Sequence, residues 1–373
     1  MSDASLYTVK VHTKISDLKE DDWNSVYPGV LEGYNFFKTA DETLSHQFVP
    51  YYITIYEEGR MVCAAPCFAM DYPLDTTLEG PLKRLIQKLR SKNGRLFKVR
   101  ALICGSPAGR GWVGMRGDKI GYLAEKLEDE MRSVARRERA GIIAFKDFTG
   151  SSGKIFPVLK KRGFHKIPSY PAFELRLPFK SFEEYFSTLS RATRKDLKRK
   201  FKKSGSLGRI SMEVKSEPAE LLDRIYELYL NTLKKSGVQF EILSKEFFER
   251  ISSNMPGQTK YFLWFIDGKL AAFDLCLVSG SCLLDEYIGM DYDVAYKYHL
   301  YFVTFRDIIN WCIANNIKVY QSGALNAEPK KRLDFEFIPQ YVYARARNNL
   351  LNVFLGFLAG VLKPGEEGSL TKQ

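Results

Sequence analysis

Two stretches of the chain place apolar, β-rich runs on either side of a short polar turn. The first is YYITIYEEGRMVCAAPCFAM, residues 51–70, which turns at Glu58-Gly59. The second is YFLWFIDGKLAAFDLCLV, residues 261–278, which turns at Ile-Asp-Gly-Lys. A glycine in a tight turn between two such runs is typical of a β-hairpin. Both turns are followed by Ala-Ala within a few residues, so we predict two related hairpins.

The same order of elements follows each hairpin. A buried strand, a long amphipathic helix and a second strand are predicted after the first hairpin, and again after the second. The segments are RALICG, the helix near 118–140 and IIAFKDF, then CLLDEYIG, the helix from about 295 to 315 and KVYQSG. This repeated order indicates internal duplication. We therefore predict two domains, residues 1–164 and 165–373, with a basic helix at 182–203 at their junction.

The junction segment is dense in positive charge. Nine of the thirteen positions from Arg191 to Lys203 are charged, and eight of these are Lys or Arg. Such a run is usually a solvated helix face. The alternative is a surface that binds anions, for which we select Arg191, Arg194 and Lys195. Contact with RNA phosphates fits the charge, but the one aromatic residue of the run, Phe201, belongs to its apolar stripe with Leu197. We therefore expect poor sequence-specific recognition of RNA, and tRNA is the less favoured partner.

The composition sets further bounds. The net charge is +12, which fits either a polyanionic partner or simple solubility. No apolar run approaches the roughly 20 residues that span a bilayer, and the first residues lack a signal pattern. The six cysteines lie in apolar runs without metal-ligand spacing, so we expect neither disulfides nor a metal site. These features predict a cytoplasmic protein.

Two segments of the chain raise the question of membrane contact, one basic and amphipathic and the other apolar. Residues 78–99 form a predicted basic amphipathic helix, which either covers a core or lies on an anionic membrane. Near the end of the chain, LLNVFLGFLAGVL is apolar almost all round but too short to span a bilayer. We expect this stretch to be buried in the core, with peripheral membrane contact as the alternative.

A loop beyond the first buried strand is rich in glycine. Glycine-rich loops can hold phosphate, but the spacing here matches neither the P-loop nor the dinucleotide fingerprint. We interpret it as a flexible loop near a ligand. Its glycines are Gly109, Gly111, Gly114 and Gly117.

Two segments resemble the FemAB-like branch of the GNAT acyltransferase superfamily. One is YFSTLSRATRKDLKRKFKK, residues 185–203, and the other is the stretch 268–341, which includes GKLAAFDLCLV, IGMDYDVAYKYHLYF and SGALNAEPKKRLDFEFIPQY. The resemblance implies an α/β (α+β) fold of two tandem GNAT-like domains, each a central mixed sheet flanked by helices.

The resemblance also implies an enzyme that transfers an acyl group to an amine. We expect an N-acyltransferase that uses acyl-CoA or an acyl carrier protein as thioester donor. The acceptor is an amine-bearing small molecule or peptide in a cleft between the two halves. The alternatives are an aminoacyl-tRNA-dependent ligase acting on a peptidoglycan precursor or peptide, and a non-catalytic anion-binding protein.

The chain departs from the superfamily at the loop that holds the pyrophosphate of acetyl-CoA in related enzymes. Glycines are expected there, yet this sequence has Gly289-Met-Asp-Tyr-Asp-Val-Ala. Asp291 and Asp293 would repel phosphate at this position. An acyl chain on an acidic carrier protein or an aminoacyl-tRNA therefore fits the sequence as well as coenzyme A does.

Acyl transfer needs a base for the amine and an acid for the leaving group. Glu286 or Asp291 is the candidate base, and Tyr298 is a candidate acid. In the alternative interpretation Asp291 caps a helix and the tyrosines pack against a sheet. The candidate substrate-binding residues are Asp274, Tyr287, Tyr292, Lys330 and Lys331. Asp274 needs a partner if it is buried, and the two lysines bind an anion or are solvated. Because the first copy lacks comparable carboxylates, we expect the chemistry in the C-terminal half.

Overall fold

The structure is a computed structural model that describes residues 6–73, 98–149, 155–236, 240–323 and 327–361. The chain divides after Tyr170 and again before Pro339 into two compact units. Residues 171–338 form the second unit, and the segments on either side of them form the first. The sequence-based boundary at 164/165 differs from this division, because it assigns residues 165–170 and the last strand and helix to the C-terminal domain.

The first unit contains a seven-strand path in which each strand is antiparallel to its neighbours except for one parallel pair. The strands are β1 (Tyr7–His12), β2 (Val49–Glu57), β3 (Arg60–Pro73), β4 (Lys98–Cys104), β5 (Gly114–Met115), β6 (Ile142–Thr149), β7 (His165–Pro168) and β15 (Gln340–Ala346). The strand order is β1-β2-β3-β4-β6-β15-β7, with the short β5 paired to β3. Strands β4 and β6 are the parallel pair, and strand β15 returns from the end of the chain to lie between β6 and β7. Its helices are α1 (Glu20–Val26), α2 (Tyr34–Leu44), α3 (Ile120–Arg137), α4 (Phe156–Lys161) and α12 (Asn349–Val361).

The second unit repeats this plan. Its strands are β8 (Ala172–Arg176), β9 (Ile210–Lys215), β10 (Thr259–Ile266), β11 (Lys269–Ser279), β12 (Cys282–Met290), β13 (Val319–Ser322) and β14 (Glu336–Ile338). The strand order, β9-β10-β11-β12-β13-β8-β14, again contains one parallel pair, β12 with β13, at the corresponding place. Its helices are α5 (Phe182–Thr188), α6 (Arg191–Leu207), α7 (Leu222–Ser236), α8 (Lys245–Asn254), α9 (Tyr292–Ala295), α10 (Leu300–Ala314) and α11 (Ala327–Arg332). The predicted tandem α/β fold with two mixed sheets is confirmed.

The two hairpins match in detail. Both have a two-residue turn in which each residue adopts positive φ: Glu58 and Gly59 in the first, Asp267 and Gly268 in the second. This geometry fits the right-handed twist of the flanking strands. A register shift occurs at the same distance before each turn. The Asp-Gly and Glu-Gly dipeptides therefore identified the same structural unit twice.

The glycine-rich loop of the first unit owes its glycines to close packing. A Cβ on Gly111 would lie 1.6 Å from the main-chain oxygen of Lys146. A Cβ on Gly109 would lie 2.1 Å from the carboxylate of the buried Glu32. Steric demand accounts for these glycines, and the ligand that we expected beside the loop is not needed to explain them.

The C-terminal apolar stretch is not buried in the core, contrary to our expectation. It forms α12, and five of its apolar side chains are between 57% and 82% exposed. Most of the predicted basic helix at 78–99 lies outside the described residues. None of the helices in the described ranges has the length and apolar character that a bilayer crossing requires.

Candidate active site

The parallel strands β12 and β13 stop pairing at an irregular point of the sheet. Their register runs from Cys282 with Val319 to Asp285 with Ser322, where β13 ends, while β12 continues to Met290. At the same place β12 carries a bulge against β11, which leaves the residue after Asp285 outside the register. Ligand sites in α/β sheets form where parallel strands end, and bulges re-aim side chains beside such sites.

The bulge gathers polar side chains on one face of the sheet. Asp285 is paired with Cys276 of β11, so it shares a face with Asp274 two residues earlier on that strand. One carboxylate oxygen of Asp285 accepts hydrogen bonds from Ser322 (2.7 Å) and Tyr320 (3.3 Å) of β13. Asp274, which is 1% exposed, forms a further hydrogen bond with Asp285. The result is a carboxyl pair embedded in the sheet, of which Asp285 is the partly exposed member.

Lys330 supplies a positive charge beside the carboxyl pair. It lies on α11, is 4% exposed, and donates a hydrogen bond to the main-chain oxygen of Gly323 at the end of β13. Its ammonium also lies 5.3 Å from the centre of the Phe173 ring. The interpretation of Lys330 as a solvated residue is therefore wrong.

Burial shifts the pKa values of this cluster. The pKa of Asp274 is raised well above its ordinary value, first by burial and then by the nearby Asp285, so Asp274 keeps its proton. Burial lowers the pKa of Lys330 to about 8, although Asp285 and Asp274 oppose this shift. A buried cation that can lose its proton near neutral pH is suited to a functional site.

The first unit has no such cluster at the corresponding positions. Its last parallel pair is Cys104 with Phe145, where the second unit has Asp285 with Ser322. Ala65 of β3 occupies the position that corresponds to the buried aspartate of β11. The polar cluster is thus particular to the second copy of the duplicated fold, within the described residues.

Two of the residues predicted for the site, Tyr287 and Glu286, lie on β12 next to Asp285, and Tyr287 points away from the cluster. Because of the bulge, Tyr287 pairs with Leu275 and faces the opposite side of the sheet from Asp285, which a regular strand would not allow. Its hydroxyl donates to Glu241 (3.0 Å). Glu286 occupies the bulge itself.

Asp291 lies at the end of β12 in a structural role. One carboxylate oxygen accepts the main-chain N–H of Asp293 (3.2 Å) at the start of α9, and the other pairs with Arg224 (2.6 Å). Asp291 lies six positions beyond Asp285 in the chain, which is about 20 Å along a strand. The helix-capping interpretation describes the observed contacts, and these two aspartates do not share a site.

The same turn does not fit a pyrophosphate. The N–H of Asp293 is already bonded to Asp291, and two carboxylates stand where an anion would lie. Gly289 serves packing, since a Cβ there would lie 2.3 Å from the ring of Phe273 and 2.7 Å from the main chain of Leu228. The departure from the acetyl-CoA loop noted in the sequence is therefore matched by the contacts.

The remaining candidates lie apart from the cluster or at its margin. Tyr298 is buried, and its hydroxyl donates to the main-chain oxygen of Leu207 (3.1 Å). Tyr292 lies near Thr232, under the ammonium of Lys235. Lys331, next to Lys330, lies 3.6 Å from Glu328.

The basic helix α6 presents one uninterrupted cationic face. Arg191, Lys195, Lys198 and Lys202 are exposed and spaced by four, three and four residues, which places them on one side of the helix. Within the described chain, no carboxylate forms an ion pair with any of the four. Arg194 instead donates to the main-chain oxygens of residues 187 and 189 and holds the end of α5.

Sequence reasoning did not select Asp285, Tyr320 and Ser322. An available signal was the presence of an aspartate in each of two adjacent apolar strands, Asp274 and Asp285. The partner strand β13, however, is brought beside them by a crossover helix, so its contribution depends on the tertiary structure.

Comparisons with known proteins agree on this fold. Residues 191–332, which contain the cluster, match the family model described as an acetyltransferase (GNAT) domain. FemX is 12% identical, with a TM-score of 0.58 over 93% of this chain and 100% of that chain. The C-terminal domain of a protein from Agrobacterium fabrum assigned as a lysylphosphatidylglycerol synthetase is 10% identical, with a TM-score of 0.56 over 93% and 98%.

A tandem GNAT protein from the clavulanic acid biosynthesis pathway is 10% identical, with a TM-score of 0.54 over 92% of this chain and 99% of that chain. A search of curated proteins gave no significant match. At these identities the structural neighbours establish the fold, and the family model adds the enzyme class.

Proposed function

We propose that this protein catalyses N-acylation and that the reaction takes place at the end of β13. The proposal builds on the match of residues 191–332 to the GNAT acetyltransferase domain and on the FemAB-like tandem fold. The acyl group comes from a thioester, acyl-CoA or acyl carrier protein, and the acceptor is an amine on a small molecule or peptide. The observation that carries the proposal is the carboxyl pair of Asp274 and Asp285 beside the buried Lys330.

Asp285 is the residue suited to act as the base. The acceptor nitrogen attacks the carbonyl carbon of the thioester, the N–C bond forms and the C–S bond breaks. The proton that leaves the nitrogen goes to the Asp285 carboxylate, and the departing thiolate takes a proton from solvent. Ser322 and Tyr320 orient Asp285 through their hydrogen bonds, as a base in a catalytic site requires.

Asp274 and Lys330 determine the charges that surround Asp285. Asp274 keeps its proton and donates to Asp285, which avoids two adjacent negative charges. The Lys330 ammonium provides positive charge near the point where negative charge develops on the carbonyl oxygen. Glu286 in the bulge and Lys331 beside Lys330 are the other candidates for contact with substrate. Tyr287, Tyr292, Tyr298 and Asp291 are proposed as support.

The test is thiol release from a panel of acyl-CoA and acyl-carrier thioesters in the presence of amines. Asp285→Asn cannot take the proton, so we expect turnover to fall about 100-fold or more while the unfolding midpoint stays near that of the wild type. The matched control is Asp223→Asn, an exposed surface aspartate paired with Lys245, which should keep full turnover. Turnover of Asp285→Asn equal to that of the control would refute the assignment.

The exposed cationic face of α6 favours a second candidate, an aminoacyl-tRNA-dependent ligase. Cations on one helix face release counterions on contact with RNA, which makes binding steeply salt-dependent. The same face fits an acidic carrier protein. The test measures binding of tRNA and of carrier protein by the double variant Lys195→Gln/Lys198→Gln, which removes two cations of the α6 face. The control is the double variant Lys215→Gln/Lys269→Gln, which removes two cations from the strands β9 and β11.

The donor assay separates the two candidates. Transfer from aminoacyl-tRNA that is abolished by nuclease, together with loss of tRNA binding in the α6 variant, supports the ligase. Transfer from a carrier thioester that nuclease leaves unchanged supports the first proposal. The six cysteines are unpaired thiols, which suits the reducing cytoplasm that we propose as the site of the reaction.

A further inference from the structure

Helix α12 of the first unit is oriented with its apolar side chains outward. Leu350, Leu351, Val353, Phe354 and Phe357 are each more than half exposed. The inner positions Asn352, Leu355, Gly356 and Ala359 recur at helical spacing and are partly buried. An apolar helix face turned toward the outside of a folded unit marks an interaction surface.

Specific contacts fix this orientation. Asn352 accepts the main-chain N–H of Ala346 at the end of β15 (2.9 Å) and donates to the main-chain oxygen of Gly163 (3.0 Å). Gly356 lies so close to His165 of β7 that a Cβ there would be 2.6 Å from the imidazole. Rotating the helix to bury its phenylalanines would break both hydrogen bonds and force a larger residue against His165. The outward apolar face is therefore a consequence of tertiary contacts.

The surroundings of α12 are basic. The helix itself has no charged residue, and the two segments that pack beside it, residues 155–170 and 340–348, contain six Lys or Arg and no Asp or Glu. Within the described residues, Arg162 is the member of this set with carboxylate partners, Glu128 and Asp129. The six are Lys160, Lys161, Arg162, Lys166, Arg345 and Arg347.

We propose that this face docks the protein on an anionic lipid bilayer, with α12 lying in the plane of the interface. An apolar helix face bordered by Lys and Arg is the pattern of interfacial helices. The phenylalanines and leucines enter the boundary between headgroups and acyl chains, and the exposed cations attract lipid phosphates. The helix has 13 residues and is about 20 Å long, too short to cross the bilayer.

Charge complementarity favours a lipid surface over a second copy of the chain. In a two-fold symmetric dimer the same patch would face itself, which would bring the unbalanced cations of both copies together. An anionic bilayer supplies the opposite charge on every side of the apolar face. The proposal is independent of the acyl-transfer reaction and is tested without substrate.

The test is co-sedimentation of the full chain with phosphatidylcholine vesicles, with and without phosphatidylglycerol. We expect binding to the vesicles that contain phosphatidylglycerol and weaker binding at high salt. Phe354→Gln/Phe357→Gln should lower the partition coefficient at least about tenfold. The control pair Val49→Gln/Leu230→Gln removes exposed apolar side chains elsewhere and should bind as the wild type does.

Two further measurements complete the design. Leu351→Trp places a fluorophore on the face, and its emission should shift to the blue with anionic vesicles. Sedimentation equilibrium without lipid reports self-association. Absence of vesicle binding, equal binding by the phenylalanine variant, or a dimer in lipid-free buffer that this variant dissociates would overturn the proposal.

Discussion

Asp274 on β11 and Asp285 on β12 share a hydrogen bond on one face of the second sheet, deep enough that Asp274 is 1% exposed. Two carboxyl groups in contact cannot both be ionised at low cost. Burial selects Asp274 as the group that keeps its proton. The pair therefore combines a neutral donor with a partly exposed acceptor, next to the buried ammonium of Lys330.

The raised pKa of Asp274 predicts a pH-dependent contribution to stability. The native state keeps a proton that the unfolded chain loses near pH 4, so this contribution is complete below about pH 4 and declines as pH rises toward the native pKa. Asp274→Asn keeps a donor for Asp285 and has no such decline. The difference in unfolding free energy between variant and wild type should therefore move in favour of Asn between pH 5 and pH 8, by up to about 1.4 kcal/mol per unit.

Urea denaturation at both pH values measures this difference, and other titrating groups cancel because both proteins share them. Asp274→Leu, which has no donor, should lower stability at both values. A constant difference between the Asn variant and wild type would contradict a protonated Asp274.

The lowered pKa of Lys330 predicts a limb in the rate profile. Lys330 is an ammonium below about pH 8 and neutral above it, so kcat/KM should decline as pH rises through about 8 if the charge stabilises the developing oxyanion. Lys330→Met should reduce kcat/KM at neutral pH about 100-fold and lack this limb. The exposed Lys318→Met is the control. If kcat/KM of Lys330→Met still declined as pH rises through about 8, the decline would belong to another titrating group.

Asp291 and Arg224 should act together on stability. Asp291→Ala removes a helix cap and an ion pair, for a cost of about 1–2 kcal/mol. Arg224→Ala should cost about 1 kcal/mol. The double variant should cost less than the sum, because one interaction is counted twice. Urea denaturation of the four proteins measures the coupling. An Asp291→Ala protein with unchanged stability and a large loss of turnover would favour its role as the base.

Gly289 is expected to tolerate no side chain. An added Cβ would lie 2.3 Å from Phe273 and 2.7 Å from the backbone of α7, so Gly289→Ala should cost about 2–3 kcal/mol. Gly205 in α6 has open space around its Cβ position, and Gly205→Ala should gain about 0.5–1 kcal/mol. Thermal unfolding of the two variants compares them. Equal shifts in both would contradict the packing of α7 on β12.

Local chemistry made the duplication visible in the sequence. The turns at Glu58-Gly59 and Asp267-Gly268 require positive φ, which glycine adopts readily, and apolar alternation sets the flanking strands. For the C-terminal stretch, the same reasoning from local sequence gave a wrong prediction. The apolar stretch from Leu350 suggests burial, but Asn352 and Gly356 hold the opposite face against the sheet.

The candidate site divides in the same way. The sequence by itself determined two tandem α/β copies, the dense positive charge of residues 191–203 and an aspartate in an apolar strand, because these depend on turn chemistry, periodicity and composition. The tertiary structure decided which side chains meet. The bulge after Asp285 changes which side chains of β12 share a face of the sheet. The helix that connects β12 to β13 places Ser322 beside Asp285, and the chain continues from there to Lys330. Register and long-range pairing depend on contacts between distant residues, and no local pattern encodes them.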